Sequence, residues 1–260
     1  RSGALAITNN SMVSLLNTIV AGNTESGYDA DCGGTITTNA HDLLDASCNP
    51  TGTDILTTEP LLAPLSLYGG STQTHPPLPG SPAIDAGDNA ICASDPVNNL
   101  DQRGVSRPMN GTCDIGAVES RGFSLAITGG NNQTTNINTA FANPLVVSII
   151  SAFGEPVNSG VVTFDAPDTG ASLSIITPQP ATIAGETASI NASANGTVGS
   201  YTVPASASGA ASVSFSLTNA VTSPGTITQT SPSGNITSRT PTFTWQKEAN
   251  STSYDIQVVR

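Results

Sequence analysis

The stretch Ser11-Met12-Val13-Ser14-Leu15-Leu16-Asn17-Thr18-Ile19-Val20-Ala21-Gly22-Asn23 alternates apolar with small polar residues and then stops at Gly-Asn. Short apolar groups broken by small polar residues suit short strands, and Gly-Asn is turn chemistry. The stretch therefore predicts a pair of short strands joined by a turn. Strands this short are not stable alone. Stacked rungs of a solenoid would bury such residues and align Asn or Thr at the corners.

Composition extends this reading to the whole chain. The 260 residues include 25 Gly and 18 Pro, with 37% hydrophobic and only 10% charged residues. Average soluble proteins carry about 25% charged residues. Here Ser, Thr, Asn and Gly are abundant, the vocabulary of short strands and turns. The predicted class is all-β, with long helices nearly excluded.

Seven basic residues face nineteen acidic ones, a net charge of −12. The basic residues (Arg1, Arg103, Arg107, Arg121, Arg239, Lys247 and Arg260) are scattered, whereas a nucleic-acid surface needs clustered cations. No nucleic-acid partner is expected. The longest apolar-rich run, Leu145 to Ile150, is far below the roughly 20 residues of a membrane span, so no span is expected in this stretch. Opening on Arg1-Ser2-Gly3, without a leader pattern, the numbering is expected to begin inside a longer polypeptide.

Cys32, Cys48, Cys92 and Cys113 are separated by 16, 44 and 21 positions, and none forms a CxxC pair. Zinc sites favour closely spaced ligand pairs. Two disulfides in an oxidising compartment are the expected use. The pairing favoured is Cys32 with Cys48 and Cys92 with Cys113. Each bond would close a short loop, worth on the order of 3 kcal/mol in the chain-entropy model.

Charge also divides the chain. Residues 1–122 hold all four cysteines, both histidines and 13 acids against 4 arginines; residues 123–219 hold four acids and no basic residue. Boundaries are expected near 122 and 220, giving regions 1–122, 123–219 and 220–260.

The first region contains Pro60-Leu-Leu-Ala-Pro-Leu-Ser-Leu-Tyr-Gly-Gly70-Ser-Thr-Gln-Thr-His75 and Leu78-Pro-Gly-Ser-Pro-Ala-Ile-Asp85-Ala-Gly87. Asp101-Gln-Arg-Gly104 and Cys113-Asp-Ile-Gly-Ala-Val-Glu119 follow. In this order the motifs resemble the C-terminal end of bacterial surface proteins with right-handed parallel β-helix repeats, the choice-of-anchor Q type. Pro76-Pro77 departs from that pattern, which has a smaller or apolar residue after the histidine. The resemblance covers residues 11–120 and implies the terminal rungs and cap of a β-helix whose earlier rungs lie upstream. It implies location and architecture more than activity.

In the second region, Leu145-Val-Val-Ser-Ile-Ile150, Val161-Val-Thr-Phe164, Gly199-Ser-Tyr-Thr-Val203 and Ser212-Val-Ser-Phe-Ser-Leu217 read as strands separated by Gly, Pro and Asn clusters. A sandwich is expected. Asn143-Pro-Leu-Val-Val147, Gly154-Glu-Pro-Val157, Val161-Val-Thr-Phe164, Ala194-Asn-Gly-Thr197 and Tyr201-Thr-Val203 resemble bacterial Ig-like repeats, which serve as spacers or adhesive modules. In the third region, Thr240-Pro-Thr-Phe-Thr-Trp245 and Ser253-Tyr-Asp-Ile-Gln-Val-Val259 resemble the first strands of a fibronectin type III module, incomplete here, with Trp245 as its inward-facing aromatic.

The acids Asp85, Asp88, Asp95, Asp101, Asp114 and Glu119 are where acid–base chemistry or Ca²⁺ would be sought. Asp85-Ala-Gly-Asp88 lacks the ligand alternation of an EF-hand loop, and turn capping explains it as well. Asp85, Asp88, Asp101 and Asp114 stand as weak calcium candidates, with Arg103 and Arg107 as simple partners for the acids. No catalytic or cofactor-binding residue is assigned. His41 and His75 lie beside no nucleophile pattern such as G-x-S-x-G, and no phosphate-binding glycine spacing occurs. Asn-x-Ser/Thr triplets at Asn9, Asn110, Asn132, Asn191, Asn195, Asn235 and Asn250 are expected by chance in a chain rich in these residues.

The expected function is non-catalytic: an extracellular or cell-surface structural and adhesive region, binding a glycan or protein ligand or associating with itself. Two alternatives remain. The chain could belong to a β-helix polysaccharide lyase or glycoside hydrolase whose groove lies upstream, since no basic residue occurs between 2 and 102. It could also be a filament subunit assembled by strand addition.

Overall fold

The computed structural model describes residues 4–7, 11–25, 28–29, 31–34, 36–221, 229–231 and 244–245. The described residues are nearly all β or irregular: helix is confined to α1 (Asn89–Ala93) and one 3₁₀ turn, Ala46–Cys48. No described helix is long and apolar enough to cross a membrane.

Nine short strands come first: β1 (Leu5–Ala6), β2 (Ser14–Leu16), β3 (Ile19–Val20), β4 (Thr24–Glu25), β5 (Tyr28–Asp29), β6 (Cys32–Gly33), β7 (Thr38–Ala40), β8 (Leu43–Leu44) and β9 (Ile55–Leu56). β2 and β3 lie on either side of the expected turn, but they do not pair with each other. Instead β1 pairs in parallel with β6, β2 with β7, β3 with β8, and β8 with β9; only β4 and β5 pair antiparallel. Ser14 lies beside Thr38 and Ile19 beside Leu43, so the chain returns to stack on itself after one circuit.

The circuit also stacks its corners. Asn17 (φ 48°) and His41 (φ 54°) occupy matching left-handed positions between paired strands. Beside them, Asp42 accepts from Thr18 N at 2.7 Å and Ala40 N at 3.1 Å. Its own N–H donates to Asp54 Oδ1 at 3.2 Å. Side chains thus satisfy the backbone groups that a sharp corner removes from the ladder. Inside the stack, Leu43, Ala83 and Ile115 form a small apolar core against Ile19, Ile55 and Ala86.

Residues 60–122 make little regular structure. Their prolines remove ladder donors, leaving isolated bridges at Leu62↔Pro77, Ser66↔Thr74 and Leu100↔Ser106. α1 begins at Asp88, whose carboxylate accepts from Ala90 N at 2.7 Å.

Ten further strands follow: β10 (Ser124–Gly129), β11 (Gln133–Asn136), β12 (Leu145–Ile150), β13 (Val161–Phe164), β14 (Leu173–Ile175), β15 (Ala181–Thr182), β16 (Thr187–Ile190), β17 (Ala192–Ala194), β18 (Gly199–Ser206) and β19 (Val213–Ala220). They form a sheet of order β10-β12-β16, a sheet of order β11-β19-β18-β13-β15, and the pair β14-β17. Period-two burial drives this arrangement: Leu145, Val147 and Ile149 of β12 are buried. They share one core with Val162, Phe164, Val203, Phe215 and Leu217 of the larger sheet. Ile84, from the preceding irregular stretch, belongs to the same core.

Finally, β20 (Gln229–Ser231) pairs antiparallel with β21 (Thr244–Trp245). The expected inward position of the Trp245 side chain, and most of region 220–260, lie outside the described residues.

Candidate functional site

The motif Asp101-Gln-Arg-Gly104 forms a turn around its own aspartate. Asp101 Oδ1 accepts from Arg103 N at 2.7 Å and Val105 N at 2.9 Å, with Gly104 at φ 84° closing the bend. Asp101 Oδ2 receives Arg103 Nε at 2.8 Å and Glu119 N at 3.1 Å. This holds the Arg103 guanidinium against Asp101, with Nη2 also 2.8 Å from Oδ2. Its Nη2 donates to the Glu119 carbonyl at 2.6 Å, and its Nη1 to Glu155 Oε1 at 3.3 Å.

Glu155 sits in the loop between β12 and β13. Besides Arg103 it accepts from Arg121 N at 3.0 Å and Arg121 Nε at 3.4 Å, and from Ser120 Oγ at 3.5 Å. Arg121 also stacks 4.5 Å above the Phe153 ring. A neighbouring cluster surrounds Glu119, whose carboxylate accepts from Met109 N at 2.8 Å and Asp114 N at 2.9 Å. Arg107 Nε lies 3.4 Å from it, while both Arg107 Nη atoms donate to the Gly116 carbonyl at 3.1 Å. Asp114 in turn accepts from Asp85 N at 2.8 Å and Ser120 N at 2.6 Å.

Electrostatics follow from burial. Asp114 is almost solvent-free and no arginine pairs with it among the described residues. Burial pushes its pKa up to about 7; backbone N–H donors oppose the shift, and Glu119 and Asp85 add to it. Glu119 is also raised by burial, with two backbone donors and Arg107 opposing. At the stacked corner, burial raises Asp42 to about 6.

The four calcium candidates are distributed rather than gathered. Asp88 caps α1, Asp101 holds its turn and Asp114 ties two loops, while Asp85 is exposed with a left-handed backbone. Among the described residues, no three His, Cys, Asp or Glu side chains come together as a metal-binding group. Asp95 accepts from Asn98 Nδ2 at 2.6 Å. His41 occupies a corner, and His75 Nδ1 lies 2.7 Å from the Ala63 carbonyl. Cys32 is bonded to Cys48 and Cys92 to Cys113.

The carboxylates of the junction therefore bind chain segments to one another: each oxygen of Asp101, Glu119, Glu155 and Asp114 already faces N–H or O–H donors. Sequence reasoning missed Glu155 as a partner of these arginines. The available signal was an acid in a Gly-Glu-Pro turn within a region that has no base of its own. No family model and no curated protein matches this chain.

Proposed function

We propose that the chain is a non-catalytic structural and adhesive region of a large bacterial surface or secreted protein. In this reading residues 1–122 end a right-handed parallel β-helix, 123–219 form an Ig-like spacer, and 220–260 begin a fibronectin-like module. The observation that carries the reading is the buried ionic junction centred on Glu155. Successive modules move relative to one another by default unless their interface is extensive. Here Arg103 reaches Glu155 with 2% and 4% of the two side chains exposed. Backbone bonds run alongside, from Val161 N to the Pro79 carbonyl at 2.8 Å and from Phe123 N to the Gly209 carbonyl at 2.8 Å. Ile84 inserts into the core of the sheets.

Such a joint suits a rod that projects an adhesive surface without bending. The parallel pairing of β1 with β6, β2 with β7, β3 with β8 and β8 with β9 supports the solenoid part of the reading, and the two disulfides suit an oxidising exterior. The test uses the full-length protein. Surface exposure to added protease on intact cells, together with binding to glycans or host-type surfaces, is the expected result. Cleavage of a polysaccharide by the protein, or its retention inside the cell, would overturn the reading.

A further inference from the structure

We infer that the cleft beside the ionic junction, formed by Phe153, Arg121, Asp85 and Asn110, is a binding subsite for one ring of a neutral saccharide. The inference rests on the adhesive reading above and names its ligand. The cleft has a volume of about 510 Å³, within the roughly 300–1,000 Å³ range of ligand sites, and it lies where two parts of the chain meet, as such sites often do.

Its chemistry is that of a polyol site. Phe153 is half exposed (50%), and Arg121 holds the ring from one side at 4.5 Å. The guanidinium is itself fixed by Glu155 at 3.4 Å and by the Phe153 carbonyl at 3.3 Å. The aromatic surface is therefore preorganised, which reduces the ordering cost of binding. Beside it, Asp85 stands at φ 55° with its N–H anchored on Asp114 at 2.8 Å. The Asp85 carboxylate and the Asn110 amide have no hydrogen-bond partner among the described residues. An apolar plane flanked by one acceptor pair and one donor–acceptor amide matches a pyranose, which offers a C–H face and adjacent hydroxyls.

Charge selects against the other ligands. The positive charge of Arg121 is already offset by Glu155, so a uronate or phosphate would meet the open Asp85 carboxylate without a free cation. A cationic peptide would meet the Arg121 guanidinium. A neutral ring avoids both costs.

The experiment is calorimetric titration of the full chain with neutral cello-, malto-, xylo- and manno-oligosaccharides, with polygalacturonate and an oligolysine peptide as contrasts. Binding of at least one neutral oligosaccharide is expected. Phe153→Ala and Asp85→Asn should each weaken it about tenfold, while Phe153→Trp retains it. Asn is compatible with the left-handed position, and thermal melting verifies that each variant is folded. Neutral binding unchanged in both weakening variants would overturn the subsite and leave the adhesive reading standing. Binding of only the anionic polymer or the peptide would overturn the ligand class. Absence of any binding would overturn the inference, and the adhesive reading falls with it only if the full-length protein also fails to bind surfaces.

Discussion

Arg103 Nη1 lies 3.3 Å from Glu155 Oε1, and 2% and 4% of these side chains are exposed. The two residues are 52 positions apart, one in an Asp-anchored turn and the other in the loop that carries the chain from β12 in one sheet to β13 in the other. Desolvating such charges is costly, and their attraction offsets that cost only with additional hydrogen bonds. Asp101 on one side and the Arg121 and Ser120 donors on the other supply those bonds.

Removing one member should therefore be expensive. Loss of one partner from a buried pair costs about 3–5 kcal/mol. Because Asp101 still faces Arg103, Glu155→Ala should fall near the lower end, about 3 kcal/mol. Urea denaturation of the full chain measures this, and a loss below about 1 kcal/mol would mean that water or rearrangement replaces the pair.

Gly160 marks the closest backbone approach at the same joint. A Cβ there would stand 2.6 Å from the Pro79 carbonyl oxygen and 2.8 Å from Pro79 Cδ. Gly160→Ala should destabilise by about 1–3 kcal/mol through overpacking. Gly196→Ala, where the nearest atom is 3.4 Å away, serves as a near-neutral comparison. Equal thermal midpoints for the two variants would refute the steric argument.

Stability should rise as pH falls from 8 to 5. Asp114 has its pKa raised from 3.8 to about 7 by burial, so the folded chain binds its proton more tightly than the unfolded chain. That contribution is complete below pH 3.8 and is lost as pH rises through about 7. Asp42, raised to about 6, acts in the same direction. Urea midpoints across this window should decline with rising pH, and Asp114→Asn should flatten the slope. A slope unchanged by that substitution would assign the dependence elsewhere.

The disulfides should differ in access. Cys48, Cys92 and Cys113 are no more than 1% exposed, whereas Cys32 is only half-buried, so a reductant reaches the first bond through Cys32. Mild reduction followed by alkylation and mass analysis should label Cys32 and Cys48 first. Replacing either pair by alanines should cost on the order of 3 kcal/mol, given loops of 16 and 21 residues. Earlier labelling of Cys92 and Cys113 would contradict the burial argument.

Some of this was legible along the chain. The apolar, β-branched-rich run Leu145–Ile150 marks a strand, though which of its residues face the core is not legible in it. By contrast, β11 is Gln-Thr-Thr-Asn, which reads locally as turn; it becomes a strand by pairing in parallel with β19. The stretch around Asn17 does form two short strands on either side of a bend, but not the pair its sequence predicts, because each strand pairs with a later one; local pattern carries no information about partner or register.

Composition and spacing by themselves determined the β character, the scarcity of helix and the supply of four cysteines, because these depend on residue type and near neighbours. Only the tertiary structure decided that β2 lies beside β7 rather than β3, and that Glu155 receives Arg103 and Arg121. Those choices are made by backbone donors seeking partners and buried charges seeking counter-charges, often at positions far apart in the sequence. They become visible only when the chain has returned upon itself.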